Sequence, residues 1–244
     1  MYVTCLYDVY NKPEKMEEYI KLFQPLAESG LQIHLYTSSE LTHYFKNYPD
    51  TVTVLEVPLN HCEIWNLIMN SNPNLPAEAN PNKDTKEYLS LMNTKLDFLL
   101  RSSEICDDRN LIWIDFAILK IFKDIPRCIQ YLKDFADMNF DKVNIPGCWY
   151  KGEALYLNAI NWRFCGGFFI VPRNHLKRFY NDCYESINAF LTHDGHMLTW
   201  EVNVWYHVEY YKGKDYIKWY YALHDDGMLW ALIENIDPWT GQKI

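Results

Sequence analysis

Short β-branched runs alternate with helical stretches from the start of the chain, and that alternation constrains the fold more than any other feature. Val3 to Tyr7 reads as a buried strand, and Pro13 then opens a helix in which Met16, Tyr19, Ile20, Phe23 and Leu26 recur at helical spacing. Leu31 to Tyr36 and Thr51 to Val57 follow as strands, separated by a short helix that Ser38 or Ser39 can cap and that runs to Phe45. A βαβαβ order predicts a parallel sheet, because parallel neighbours need crossover connections of this kind.

The pattern continues through the rest of the chain. His61 to Met69 reads as a helix, and Asn72 to Asp84 as a long Pro- and Asn-rich loop. Thr85 to Ser102 reads as one helix with Tyr88, Met92, Leu96 and Leu99 on a stripe that also contains Lys95. A Lys on such a stripe either snorkels to solvent or, over a sheet's carboxyl edge, reaches a phosphate. Asn110 to Ile114 is the most strand-like run, and it ends in Asp115. Asp124 with Pro126 can start a helix to about Ala136, and Lys142 to Pro146 reads as a strand. Phe164 to Val171 reads as a buried strand opened by Gly166 and Gly167, where a backbone or a ligand must come close. Helices fit Asn174 to Leu191 and Leu198 to Tyr210, and a last strand, Tyr216 to Leu223, leads into His224-Asp225-Asp226-Gly227. No repeat or composition break divides the chain, so residues 1–244 read as one α/β domain.

With 49% hydrophobic residues among 244, the chain can fill a globular core. Lys and Arg number 23 against 32 Asp and Glu, a formal charge of -9, which disfavours nucleic acid and acidic membrane surfaces as partners. The first residues lack a signal-peptide pattern, and no stretch approaches the about 20 apolar residues of a membrane span. The seven cysteines include no CxxC pair and sit mostly in apolar contexts, as expected of reduced thiols. These features predict a cytoplasmic protein. Aromatic residues make up 16% of the chain, which suggests that some rings line a cleft, core packing being the commoner role of any single ring.

Ligands in open α/β sheets gather outside the carboxyl ends of the strands, and Asp115 and His224 both stand at such ends. A carboxylate leaving an apolar strand calls for a metal or cation partner, although Asp115 fits a helix cap equally well. His224 with two acidic neighbours fits a divalent-metal shell or an ordinary turn. His193 and His196 read as solvated loop, lacking a zinc-site pattern. There is no GxSxG, GxxxxGK[ST] or GxGxxG motif, and apolar surroundings make Cys165 an unreactive thiol.

An ordered set of segments resembles the HtrL/YibB family, whose members have the look of GT-A glycosyltransferases. They are Val3 to Asp8, Tyr88 to Asp97, Leu111-Ile112-Trp113-Ile114-Asp115-Phe116-Ala117-Ile118, Cys165 to Phe169, Leu198 to Trp205 and His224 to Gly227. The resemblance implies a single GT-A-like domain with a mixed, mostly parallel sheet flanked by helices. Its Rossmann-like nucleotide-binding half would span about residues 1–118, and its acceptor half about 119–244. It implies transfer of a sugar from a nucleotide-sugar donor to a glycan or other hydroxyl acceptor, with Mn²⁺ or Mg²⁺ on the donor diphosphate. Asp115 would belong to a DxD-type motif whose second acid is here Ala117, so the ion would rest on Asp115, His224, diphosphate and water. Lys95 or Arg163 would neutralise the phosphates if no metal takes part. By the same resemblance Thr4 and Tyr7 face the nucleotide, Gly166 and Gly167 admit the donor or acceptor, and Glu201 is the general base, with a helix cap or an Arg partner as its alternative role. The lost second acid also fits a catalytically silent nucleotide-sugar or glycan-binding protein, and the aromatic content fits an interaction scaffold.

Overall fold

The computed structural model describes residues 1–76, 80, 83–149, 159–193, 196–237 and 240–243. Parts of the predicted 72–84 loop, and Asp194 and Gly195 of the His-containing loop, lie outside the described residues. Seven strands form one sheet: β1 (Tyr2–Leu6), β2 (Ile33–Thr37), β3 (Val52–Glu56), β4 (Asn110–Ile114), β5 (Val143–Gly147), β6 (Phe168–Pro172) and β7 (Ile217–Tyr221). Their order across the sheet is β3-β2-β1-β4-β6-β5-β7. Every pair is parallel except those of β6, which runs antiparallel to β4 and to β5. The result is a single α/β domain with the mixed, mostly parallel sheet flanked by helices that was expected.

Alternate residues of each strand enter opposite layers, and both layers are dry, so the central strands read as unbroken apolar runs. Val3, Trp113 and Phe169 pack on one face, against α4 (Lys95–Ile105), α6 (Arg173–Thr192) and α7 (Glu201–Val208). Tyr2, Ile112, Ile114 and Phe168 pack on the other, against α1 (Pro13–Ala27), α5 (Ile125–Asp137) and α8 (Gly227–Glu234). The short helices α2 (Glu63–Met69) and α3 (Lys86–Asn93) complete the first layer. Among the described residues, no helix is long and apolar enough to cross a membrane.

The structure departs from the sequence pattern at four places. The predicted 85–102 helix is broken at Thr94, whose hydroxyl donates to the Ser90 carbonyl at 2.7 Å and competes with the helical ladder. Lys95 therefore begins a new helix. The predicted strand at 164–171 starts only at Phe168; the Asp115 amide still bonds the Gly167 carbonyl in the β4–β6 register, while the Gly166 carbonyl is taken by Lys95. The predicted 198–210 helix starts at Glu201, which places that carboxylate in the first turn of α7, and it ends in a π-turn, Glu209–Gly213. The short 39–45 helix is 3-10. Asp225-Asp226-Gly227 forms the ordinary turn considered for it, with the Met228 amide donating to the Asp225 carbonyl at 3.1 Å, and leads into α8, whose Met228, Leu229 and Ala231 are buried.

The α1 stripe ties this frame to the edge where Asp115 stands. Phe23 is fully buried and stacks on Phe116 with ring centroids 4.2 Å apart. Replacing Phe23→Ala removes that stack and leaves a cavity, so the urea midpoint should fall by the equivalent of about 3–5 kcal/mol.

Candidate functional site

The carboxyl ends of β1 and β4 lie side by side, and antiparallel β6 brings its beginning, not its end, to the same edge: Ile114 pairs with Phe168. Gly166 and Gly167 are thereby set beside Asp115, and the Asp115 amide donates to the Gly167 carbonyl at 2.8 Å. A pocket of about 520 Å³ opens over this edge. Tyr7, Asp115, Gly166, Gly167, Glu201 and His224 all line it.

Beneath the pocket lies a buried ammonium. Lys95 Nζ sits 2.7 Å from Glu201 Oε1, 3.0 Å from Asp115 Oδ1 and 2.8 Å from the Gly166 carbonyl oxygen, over the face of Trp113. An ammonium has three N–H donors, and all three are engaged. Lys95 is 1% exposed, so it neither snorkels to water nor has a donor left for a phosphate. Burial pulls its pKa down, but the carboxylates of Asp115 and Glu201 push it up by more, so it stays charged.

The two carboxylates meet this cation differently. Asp115 Oδ1 accepts from Lys95 and, at 2.8 Å, from Trp113 Nε1. Its side chain is 40% exposed, and the residue lines the pocket. No side-chain cap of the following 3-10 turn is formed, so the capping role considered for Asp115 is not the one observed. Glu201 is buried; Oε1 is held by Lys95 and Oε2 has no partner. Burial raises the Glu201 carboxyl pKa above its ordinary value, with Lys95 opposing the shift.

Glycine is required beneath Glu201 and beside Asp115 because of close approach. A Cβ on Gly166 would stand 2.0 Å from Glu201 Oε1 and 3.4 Å from Lys95 Nζ. On Gly167 it would meet Ile118 Cδ1 at 2.7 Å.

Other expected site residues lie elsewhere. Arg163 is turned away from the pocket: its guanidinium forks onto Glu209 at 2.9 and 2.7 Å and lies over the Trp219 ring, so the phosphate role considered for it has no support in its position. Thr4 is buried within β1, its hydroxyl unpartnered, and does not line the pocket. Tyr7 presents its ring, while its hydroxyl donates to the Val57 carbonyl at 2.7 Å. Asp225 and Asp226 do not join His224 in a shell; Asp225 accepts from Lys123 Nζ and the Gly227 amide, and Asp226 from the amides of Lys123 and Asp124. Among the described residues, no three His, Cys, Asp or Glu side chains converge to hold a metal ion.

Two cations that sequence reasoning missed stand at the pocket instead, Lys83 and Lys120, both exposed. Lys120 lies in the 3-10 turn that follows Asp115, so proximity to a strand end was the available signal for it, whereas Lys83, at the end of the Pro-rich loop between two helices, carried none. Both are close enough to His224 to act on its imidazole, whose pKa burial lowers and Asp115 partly restores. The wall opposite is aromatic: Tyr10 stacks on Tyr88, and Trp200 meets the edges of Tyr88 and Trp162. Trp200 is anchored by Asp84, which accepts from its Nε1 at 2.8 Å. Trp149 does not line the pocket.

No protein-family model matches the chain, and no curated protein does. Among solved structures it is similar to 4-diphosphocytidyl-2C-methyl-D-erythritol synthase from Anaerococcus prevotii, with a TM-score of 0.42 and 7% identity over 94% of this chain and 91% of that one. It is also similar to the bifunctional IspDF of Campylobacter jejuni, with a TM-score of 0.41 and 11% identity over 96% of this chain and 52% of that one. Likeness at this level is confined to the course of the chain.

The buried triad yields a test by variants. Lys95→Met leaves Glu201 buried without its cation and should destabilise by about 3–5 kcal/mol, a loss that Lys95→Met with Glu201→Gln partly recovers. Without the ammonium the Glu201 carboxyl rises further above its ordinary 4.5. A carboxyl raised on folding contributes stability at low pH that is lost as pH climbs through the folded value. The deficit of Lys95→Met against wild type should therefore be larger at pH 7 than at pH 5, as urea midpoints at the two values will read.

Proposed function

We propose that the chain is a nucleotide-sugar-dependent glycosyltransferase of the HtrL/YibB kind, moving a sugar onto a glycan or other hydroxyl acceptor. The observation that carries this reading is Asp115, a strand-end acid anchored through Oδ1 by Lys95 and Trp113, 40% exposed and lining an aromatic-walled pocket.

The chemistry asks for positive charge at one end and a base at the other. As the bond from the sugar carbon to the diphosphate oxygen breaks, negative charge grows on the departing diphosphate, and the acceptor oxygen bonds to the same carbon. Lys83 and Lys120 are the pocket cations with donors to offer the diphosphate, in place of Lys95 and Arg163. The acceptor proton passes to Glu201, whose Oε2 is unpartnered and whose pKa is raised by burial. Tyr10, Tyr88, Trp162 and Trp200 offer ring faces to a base or a sugar.

The donor set admits Mn²⁺ or Mg²⁺ only in company with substrate. Asp115 and His224 are two protein ligands, and diphosphate and water oxygens would supply the rest, so the ion would bind with the nucleotide and not before it. Such an ion would neutralise charge on the leaving diphosphate.

A second reading, nucleotide-sugar binding without transfer, is favoured by one fact: a single ammonium already holds both Asp115 and Glu201. Donor hydrolysis and transfer assays with common nucleotide sugars, with and without Mn²⁺, separate the two. Asp115→Asn should lower turnover by about 10²-fold or more while the melting temperature stays close to wild type. Turnover at the wild-type rate removes Asp115 from the mechanism. Binding without turnover in the wild type selects the second reading. His224→Ala should weaken Mn²⁺-dependent nucleotide affinity in a calorimetric titration and leave metal-free affinity unchanged.

A further inference from the structure

Cys148, which follows β5, and Cys165, which precedes Gly166, face each other with sulfur atoms 2.8 Å apart. That is closer than two unbonded sulfur atoms pack and within about 1 Å of the ~2.05 Å of a disulfide bond. The approach is imposed by the backbone. The Cys165 amide donates to the Pro146 carbonyl at 2.7 Å, and the amides of Cys148 and Trp149 donate to the Trp162 carbonyl at 3.3 and 3.1 Å. Gly147 sits so tightly between them that a Cβ there would stand 1.9 Å from the Arg163 carbonyl oxygen and 2.1 Å from Trp219 Nε1.

The two thiols are unequal. Cys165 is wholly buried, whereas Cys148 is partly exposed, so a reagent from solvent meets Cys148 first. Their contact holds the Cys148 thiol below its ordinary pKa, and the same contact together with burial holds the Cys165 thiol above it. A half-exposed attacking thiol with a buried neighbour within bonding reach is the arrangement thiol–disulfide exchange needs.

We propose that Cys148 and Cys165 form a reversible dithiol–disulfide site whose oxidant is a small disulfide such as oxidised glutathione. The Cys148 thiolate attacks one sulfur of that disulfide, breaking its S–S bond and releasing one glutathione thiolate, which takes up the Cys148 proton. The Cys165 sulfur then attacks Cys148 in the mixed disulfide and expels the second thiolate, which takes the Cys165 proton. Two protein thiols are oxidised by two electrons, and one glutathione disulfide is reduced to two thiols. The bond would clamp the segment whose next residue, Gly166, carries the carbonyl that holds Lys95 and packs on Glu201. The proposal stands whether or not the chain transfers sugars.

The test uses the folded full chain, equilibrated with excess oxidised glutathione, quenched with iodoacetamide and read by intact mass and peptide mapping. The expected result is a species about 2 Da lighter, a cross-linked peptide joining Cys148 to Cys165, reversal by dithiothreitol, and a melting temperature raised by about 5–10 °C. Cys165→Ser should trap glutathione on Cys148, and Cys148→Ser should leave Cys165 unmodified in the folded state. Complete alkylation of both cysteines in the wild type, or a glutathione adduct on Cys148 that never resolves, overturns the proposal.

Discussion

The buried Lys95 ammonium is the interaction on which the candidate site depends. Asp115 from the end of β4 and Glu201 from the start of α7 approach one point, and without a cation between them the Glu201 charge would be untenable in a dry interior. Removing an ammonium from water is itself costly, and the cost is offset only because every N–H finds an oxygen and the Trp113 face lies alongside. The same saturation gives Lys95 a positioning role: it holds Oδ1 of Asp115 while the side chain stays partly exposed at the pocket. Gly166 is part of this arrangement, since any side chain there would occupy the space of the Glu201 carboxylate.

The antiparallel strand β6 makes the convergence possible. A parallel strand beside β4 would bring its carboxyl end and its following loop to the pocket edge. By running the other way, β6 delivers its amino end, so that two glycines and their free carbonyls stand where Asp115 and Lys95 need acceptors. The segment leading into β6 is pinned in turn by β5 through Pro146, Gly147 and the paired cysteines. Sheet polarity, glycine placement and the ion pair are one structural decision seen at three scales.

Much of the frame was legible in the residues themselves. The strands around Val3, Ile33, Val52, Ile112, Ile145, Ile170 and Trp219, and the stripe of α1, follow from β-branching, alternation and helical period, which are local properties. Asp115 and His224 could be named as strand-end groups for the same reason, and the pocket does open there. The break at Thr94 was not legible, since a Thr in an otherwise helical stripe carries a weak signal, yet it decides which way Lys95 points. Arg163 was considered for the phosphates only through the family resemblance; its capture by Glu209 depends on a contact 46 residues away. Lys83 and Lys120 are exposed lysines with no local mark of the pocket they line.

What the sequence by itself determined is the succession of elements, the two-faced burial of the sheet and the acid at the end of the Trp113 strand, because periodicity and side-chain shape act over a few residues. What only the tertiary structure decided is which charges meet. Lys95 and Glu201 are 106 residues apart, Cys148 and Cys165 are brought together by a strand pairing, and the pocket cations are selected by which lysines remain unpaired. Electrostatic partnership in a dry interior is settled by distances of a few ångströms, and those exist only once the sheet has closed its order.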